Sequence, residues 1–374
     1  MNPNFMQSTL PPVYKRSRGE AYIDPIRQRL IFVTPEENVR QHMIAWLLDE
    51  LDVPKRALSV GESLKNYGIA SRQKVDIIVK AYDNTEKTLY PVAVIECKPQ
   101  DFIINDAAVN QLFKRVRQLK TFWDCEYCAL TNGRETFCYQ VRRNKFGLIG
   151  NLPKYREMLG DEYSPVPIDE SRFDVRNFIG EDTPESLQIP MANFWECLLD
   201  VEHKMPARRY KIFRLVEDCG VRNLSVDGRS DSPYRSFIVE YNGDTTFVSI
   251  AVSSYVRRSS PKIFTAINVA VDEGETVHNS LELVVDNNVE VVGNRIKIFH
   301  DWRMTNGSKG AVATDTMRTF VSERYPQIRH GDRCFLGTLT HDRFWSFDDS
   351  EVVHFVENLI SYALIRDDLK AILR

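Results

Sequence analysis

The sequence predicts an α/β domain over residues 21–150, followed by a β-rich α+β domain over residues 191–374. Three observations lead to this. The first 150 residues alternate helix and strand patterns. Residues 151–190 mix Pro153, Pro165, Pro167, Pro184 and Pro190 with acidic residues, which reads as a linker with short helices. From about Arg209 onward, short β-branched segments recur between turn signals.

Residues 1–20 are polar and contain Pro, and read as a flexible arm. Thr34-Pro35-Glu36-Glu37 opens a helix: Thr34 suits the N-cap, Pro35 the first turn, and Glu37 gives a capping-box spacing. Apolar residues at helical period carry it to about Leu51. Strands follow at Leu58–Ser63, Lys74–Ala81 and Leu89–Cys97, with Asp83-Asn84 in the turn between the last two. A second helix is expected over Ala107–Thr121. Strands Tyr127–Thr131 and Thr136–Val141 flank the turn Asn132-Gly133.

Met191–Asp200 is again helical. Strands are expected at Ser236–Tyr241, Thr246–Ser254, Lys262–Val271, Leu281–Val285, Val289–Val292 and Arg295–His300. Asn242-Gly243, Glu273-Gly274, Asp286-Asn287-Asn288 and Gly293-Asn294 separate them. Glu351–Leu373 reads as an amphipathic terminal helix.

Composition narrows the function classes. No apolar run approaches the roughly 18–20 residues needed to span a bilayer, and the first 20 residues lack a secretory apolar core. A cytoplasmic protein without membrane association is expected. A net charge of −3 argues against coating nucleic acid by bulk electrostatics but leaves room for a local basic groove. Seven cysteines at irregular positions read as reduced core thiols, including Cys125-x-x-Cys128 with Cys138, which lacks a second ligand pair for zinc.

The chemistry concentrates at Asp76, inside an apolar strand, and at Glu96 and Lys98, at the end of the next. Buried carboxylates are costly without a partner. The spacing Glu96-x-Lys98 places both side chains on one strand face and turns Cys97 to the other. Phosphodiester hydrolysis needs a divalent cation to activate water and neutralise developing charge. Mg²⁺ prefers oxygen ligands, which Asp76, Glu96 and the Cys97 carbonyl supply. Lys98 suits a role in orienting or deprotonating the attacking water. The plainer alternative is a strand-end salt bridge between Glu96 and Lys98. Gln111 on the following helix and Glu37 on the first helix agree with the catalytic reading.

The stretch Tyr22–Val141 resembles the N-terminal nuclease domain of type I restriction enzyme R subunits. The matching residues are Asp24-Pro25-Ile26-Arg27, Thr34-Pro35-Glu36-Glu37 with Val39-Arg40-Gln41, Val75-Asp76-Ile77-Ile78-Val79, Ile95-Glu96-Cys97-Lys98-Pro99, Gln111, and Leu130-Thr131-Asn132-Gly133. The resemblance implies a restriction-endonuclease-like fold of the PD-(D/E)XK type, with a central mixed sheet between helices. It also implies Mg²⁺-dependent DNA cleavage, for which Mn²⁺ is expected to substitute, in a context of restriction and phage defence. Gln111 would then support the metal–water site and Glu37 would sit near the metal.

The chain departs from the family in two ways. Arg115 stands where the glutamine helix often carries an aromatic residue. No G-x-x-x-x-G-K-[ST] occurs, and Gly307-Ser308-Lys309-Gly310 lacks that spacing, so no ATP-driven motor and no nucleoside triphosphate are expected in this chain.

Lys114, Arg115, Arg117 and Lys120 form a basic run on the glutamine helix, and Arg56, Lys65, Arg72 and Lys74 flank the first strands. Of these, Lys114, Arg115, Arg117, Arg72 and Lys74 are the strongest candidates for contact with DNA phosphates, against the alternative of a solvated face. The loop Tyr255–Lys262 is basic with an aromatic neighbour, while His300-Asp301-Trp302-Arg303 and His341–Trp345 suit core or interface better than a pocket. Cutting both strands with one site per chain calls for two chains, so a homodimer is expected. The C-terminal domain is left with target recognition, dimerisation or sensing. Two rivals stand beside the nuclease. One is a DNA- or protein-binding module on a nuclease fold with latent or no cleavage. The other is a regulatory partner in a larger complex.

Overall fold

The computed structural model describes residues 5–71, 73–120, 125–168, 174–222, 233–256, 261–273, 276–305 and 310–373. Their architecture is mixed α/β, with several sheets and seven α-helices among the described residues. They fall into two compact units. One comprises residues 5–14 and 19–168, the other residues 15–18 and the described residues from 174 onward.

Strand β1 (Val13–Arg16) comes first in the chain. In the first unit, β2 (Gly19–Ile23) and β3 (Leu30–Phe32) pair antiparallel and lead into helix α1 (Pro35–Asp49). Thr34 caps α1 with extended dihedrals, its Oγ1 accepting from the Glu37 N–H at 3.1 Å. That satisfies one of the donors that every helix start leaves open. The expected reciprocal use of the Glu37 carboxylate is replaced by contacts to Arg27, Arg40 and Gln41.

Six strands make the main sheet: β4 (Leu58–Ser63), β5 (Lys74–Asp83), β6 (Thr88–Cys97), β7 (Tyr127–Thr131), β8 (Thr136–Arg142) and β9 (Lys145–Ile149), in that spatial order. Only β6 and β7 are parallel, which makes the sheet mixed. A parallel pair needs a long crossover, and helix α2 (Asp106–Lys120) supplies it. Strand β9 and the short helix α3 (Tyr155–Leu159) complete the unit.

Strand alternation divides the core. Ile77, Val79, Ala93, Ile95 and Cys97 join Val39, Met43, Trp46 and Leu47 of α1 on one face. Ile78 and Val94 join Leu112, Val116 and Leu119 of α2 on the other. Each of these aliphatic side chains is essentially fully buried, contributing about 1.5–3 kcal/mol. The expected hairpin turn forms, with Asp83 Oδ1 accepting from the N–H groups of Thr85 and Glu86. Cys125, Cys128 and Cys138 are buried free thiols, as expected of core cysteines.

The second unit holds helix α4 (Glu185–Leu199) and a five-stranded antiparallel sheet of β10 (Arg214–Arg222), β11 (Tyr234–Tyr241), β12 (Asp244–Val256), β13 (Ile263–Glu273) and β14 (Thr276–Val284). The one-turn helix α5 (Val285–Asn288) occupies the expected Asp286–Asn288 turn. A second sheet comprises β15 (Val289–Val292), β16 (Arg295–His300), β19 (Arg329–His330) and β20 (Arg333–Thr340). The small pair β17 (Met304–Thr305) and β18 (Ala311–Val312) precedes helix α6 (Thr314–Arg324). Among the described residues, no helix is long and apolar enough to cross a membrane.

Helix α7 (Ser350–Leu373) corrects an expectation. It is buried along most of its length instead of presenting a polar stripe to water. Two of its interior polar side chains, Asn358 and Arg366, are satisfied within the core. Asn358 Nδ2 donates to the Leu336 carbonyl at 2.8 Å and its Oδ1 accepts from Tyr325 at 2.7 Å. Arg366 donates to the carbonyls of Ser280 and Arg303. A polar residue inside a core reads as an outward face in sequence, although it is hydrogen-bonded inside the fold.

Two residues of the His300 cluster, His300 and Trp302, fall in this core, while Asp301 and Arg303 are exposed. Trp302 is fully buried and His300 nearly so. His300 Nδ1 accepts from the Trp302 N–H at 3.1 Å and lies 2.8 Å from the Tyr362 hydroxyl. Burial, with the charges of Arg366 and Arg303, holds the imidazole well below its ordinary pKa. It therefore stays neutral in the fold while the unfolded chain takes up a proton below pH about 6.5. This group is neutral in both states above that pH, and its contribution to stability falls as pH drops, by up to about 1.4 kcal/mol per unit. Urea unfolding at pH 7.5, 6.5 and 5.5 should show a shallower acid slope for His300→Gln than for the wild type, although the variant starts less stable. Equal slopes would remove His300 from the acid response.

Candidate functional site

The register of β5 against β6 sets Ile77 opposite Ile95. One step further, Asp76 and Glu96 face each other at the strand ends, on the side of Ile78 and Val94. Lys98 follows Glu96, and its N–H donates to the Thr131 carbonyl at 2.8 Å. Its ammonium lies 4.0 Å from Glu96 Oε2. Glu96 is buried, while Asp76 and Lys98 are partly exposed. The three predicted central residues therefore converge.

Two arginines join them. From α1, Arg40 Nη2 donates to Asp76 Oδ1 at 2.7 Å. From α2, Arg115 Nη1 ion-pairs with Glu96 Oε1. Asp76 Oδ2 also accepts from the Cys97 N–H at 2.8 Å, which locks the carboxylate to the neighbouring strand. Burial comes first, and the nearby charge of Asp76 second, in raising the Glu96 carboxyl above the ordinary range; Arg115 and Lys98 pull the other way.

Glu37 lies one arginine removed from Asp76. Its carboxylate accepts from Arg27, Arg40 and Gln41, and Arg40 bridges on to Asp76. Behind it, the fully buried Asp24 accepts from Arg27 Nη2 at 2.7 Å and from Gln41 Nε2 at 2.5 Å. The result is a chain of alternating charge from Asp24 to Asp76.

A turn braces the same strand end. Asn132 Oδ1 accepts from the N–H groups of Arg134 and Glu135, and its Nδ2 donates to the Phe102 carbonyl at 2.8 Å. The segment after Lys98 is thereby tied to the β7–β8 turn. Gly133 sits there with φ of 86°, and a Cβ would meet Met6 Sδ at 2.9 Å. The backbone angle favours glycine, and a Cβ would also push the Met6 side chain aside.

The remaining candidates scatter more. Gln111 is exposed one helical turn before Arg115, and so on the same side of α2. Lys114 is exposed. Arg117 is exposed too, its guanidinium 5.1 Å from the centre of the Phe146 ring. Lys74 is exposed two residues before Asp76. Cys97 buries its thiol on the α1 side. Arg115, expected at DNA, is turned to Glu96 and largely buried. Arg56 donates to the Val166 carbonyl. Arg72, residues 257–260 of the basic loop and residues 307–309 of the glycine-rich turn lie outside the described residues, as does the Lys120 side chain.

Sequence reasoning left Arg40 out of the site. Its spacing from Glu36 and Glu37 foretells helical ion pairs, but not a partner 36 residues away. Asn132 was legible as a turn residue and not as a brace for the Lys98 segment.

Among the described residues, no group of three or more His, Cys, Asp or Glu side chains converges as a metal site. The oxygen donors at the strand ends are the two carboxylates of Asp76 and Glu96. Hard oxygen donors suit Mg²⁺, which keeps several waters of its own. The pair fits such a cation in chemistry, since each carboxylate raises the need for positive charge between them.

Residues 35–153 match the family described as type I restriction enzyme R protein N terminus. The match takes in Glu37, Asp76, Glu96, Lys98, Gln111 and Asn132. It covers less than half of the chain, and Asp24 and Arg27 lie upstream of it. The resemblance read from the sequence is thus shown for this segment, which carries a restriction-related, nuclease-like context. No curated protein and no solved structure matches the chain.

The charge chain makes a sharp stability prediction. Removing Arg27 leaves Asp24 and Glu37 buried with one fewer cation. Breaking a buried pair on one side typically costs about 3–5 kcal/mol. Arg27→Met is expected to destabilise the protein by about that amount in chemical denaturation. A change under about 1 kcal/mol would mean that the chain of charges does not hold α1 against β5.

Proposed function

We propose that this protein is a Mg²⁺-dependent endonuclease that hydrolyses DNA phosphodiester bonds in prokaryotic restriction or phage defence, with no ATP-driven motor of its own. One observation carries the reading. Asp76 and Glu96 meet across two strands with Lys98 beside them, inside the segment that matches a restriction-enzyme family.

Asp76, Glu96 and the Cys97 carbonyl would hold the cation, with Mn²⁺ able to replace Mg²⁺. A cation bound there would supply charge neutralisation at the scissile phosphate and activation of water. Lys98, whose ammonium lies 4.0 Å from Glu96 Oε2, would orient or deprotonate the attacking water and stabilise developing charge. Gln111 lies on the open side of α2, where it can orient the water or the phosphate. Lys114 and Lys74 are exposed close in sequence to the site residues, and Arg117 is exposed further along α2 over Phe146; all three would suit backbone phosphates, which position a duplex without reading it. Glu37 acts at a distance, by fixing Arg40 and through it Asp76. Cutting both strands of a duplex calls for a second copy, so the working form is proposed to be a homodimer. The second unit would supply recognition, dimerisation or sensing.

A second reading has a specific observation in its favour. Both carboxylates already carry an arginine, as a purely structural ion-pair network would. In that case the domain is a DNA- or protein-binding platform without cleavage.

Plasmid DNA incubated with Mg²⁺, Mn²⁺ or EDTA separates the two. Metal-dependent nicking is expected from the wild type. Asp76→Asn and Lys98→Ala should lower it by roughly 10²–10⁴-fold while unfolding at the wild-type denaturant concentration. Nicking that survives either substitution would sink the nuclease reading. A lack of cleavage with retained DNA binding would favour the platform.

A further inference from the structure

Arg40 and Arg115 hold their carboxylates in different ways. Arg40 spreads its guanidinium over Glu36, Glu37 and Asp76, so it is fixed from three sides. Arg115 meets one acceptor among the described residues, Glu96. The first arginine belongs to the frame. The second is held by a single ion pair at the carboxylate that a cation would need.

Arg115 is largely buried itself but lies one turn from the exposed Gln111 and next to the exposed Lys114, at the margin of the open side of α2. A short rotation about its side chain would take the guanidinium from Glu96 towards an incoming phosphate. Arginine binds carboxylate and phosphate in the same bidentate manner, so one anion can replace the other.

We propose that Arg115 is a displaceable latch on Glu96, released when a nucleic-acid phosphate takes its guanidinium, so that a divalent cation and nucleic acid bind cooperatively. This rests on the reading of Asp76 and Glu96 as the cation site. Without nucleic acid, Arg115 neutralises Glu96 and competes with the cation. With it, the arginine has a new partner and Glu96 is free to ligate. By linkage, each ligand strengthens the other by the same factor.

The test measures binding, separately from turnover. Ca²⁺ is titrated into the full chain by isothermal calorimetry, with and without a short DNA duplex, and the duplex is checked for integrity afterwards. Wild-type Ca²⁺ affinity should rise on the order of 10-fold when DNA is present. Arg115→Gln should bind Ca²⁺ without DNA about as tightly as the wild type does with it, and lose most of the DNA-dependent gain. Arg115→Lys, which keeps the charge, should fall between them, and urea transitions confirm that each variant is folded. The latch is overturned if wild type and Arg115→Gln bind Ca²⁺ equally without DNA, or gain equally from it. Glu96→Gln keeps the two ideas apart. Should it bind Ca²⁺ as well as the wild type does, or should no protein bind Ca²⁺ at all, the cation site itself fails, and the latch with it.

Discussion

Everything around the strand ends depends on two carboxylates facing each other across β5 and β6. Backbone pairing enforces this closeness, because register places Asp76 and Glu96 opposite and alternation puts them on one face. Like charges there are unfavourable unless positive charge is brought in. The fold brings it from both sides of the sheet, as Arg40 from α1 and Arg115 from α2. Lys98 adds a third cation two residues from Glu96. Each helix thus serves the sheet twice, through an apolar face that packs and a guanidinium that reaches the strand ends.

The local architecture explains why those guanidinium groups can be aimed so well. Helix α1 begins at a capped Thr34 with Pro35 next, which sets the phase of Glu37, Arg40 and Gln41. The apolar face of Val39, Met43, Trp46 and Leu47 then fixes the rotation of α1 against the sheet. Helix α2 is fixed likewise by Leu112, Val116 and Leu119. The β7–β8 turn, through Asn132 and Gly133, holds the segment beyond Lys98. Site geometry is therefore set by rigid elements, with loops pinned to them by side-chain hydrogen bonds.

Much of the first unit was legible because its signals are local. Strand β4 has the expected bounds, and β5 and β6 extend the β-branched runs by one or two residues. Other features were not local. Arg40 and Asp76 are brought together by the register of the whole sheet, and no sequence window contains both. Helix α4 begins at Glu185 and passes through Pro190, which sequence reasoning treats as a boundary. Strand β10 is polar and irregular, with two register shifts and Gly220 at φ of 69°, so it lacks strict alternation. Helix α7 was found, but its polar residues were assigned to water although they are bonded inside the core.

Stability alone is a poor reason for such a network. A buried ion pair gains little over apolar residues of the same volume, because desolvation offsets the attraction. The first unit had the means to be apolar here. Ile77, Ile78, Val94 and Ile95 show that the surrounding positions of the same strands take β-branched residues without difficulty. Yet Asp76, Glu96 and Lys98 interrupt that pattern at the strand ends. Behind them, Asp24, Arg27, Glu37, Arg40 and Gln41 form a connected polar chain that reaches Asp76 through Arg40. Part of that chain is spent on holding Arg40 where it meets Asp76, which a merely cohesive core would not require. Arg115 has no comparable support, since Glu96 is its one acceptor among the described residues. The asymmetry between a braced arginine and an unbraced one fits a site in which one carboxylate is positioned and the other is kept available.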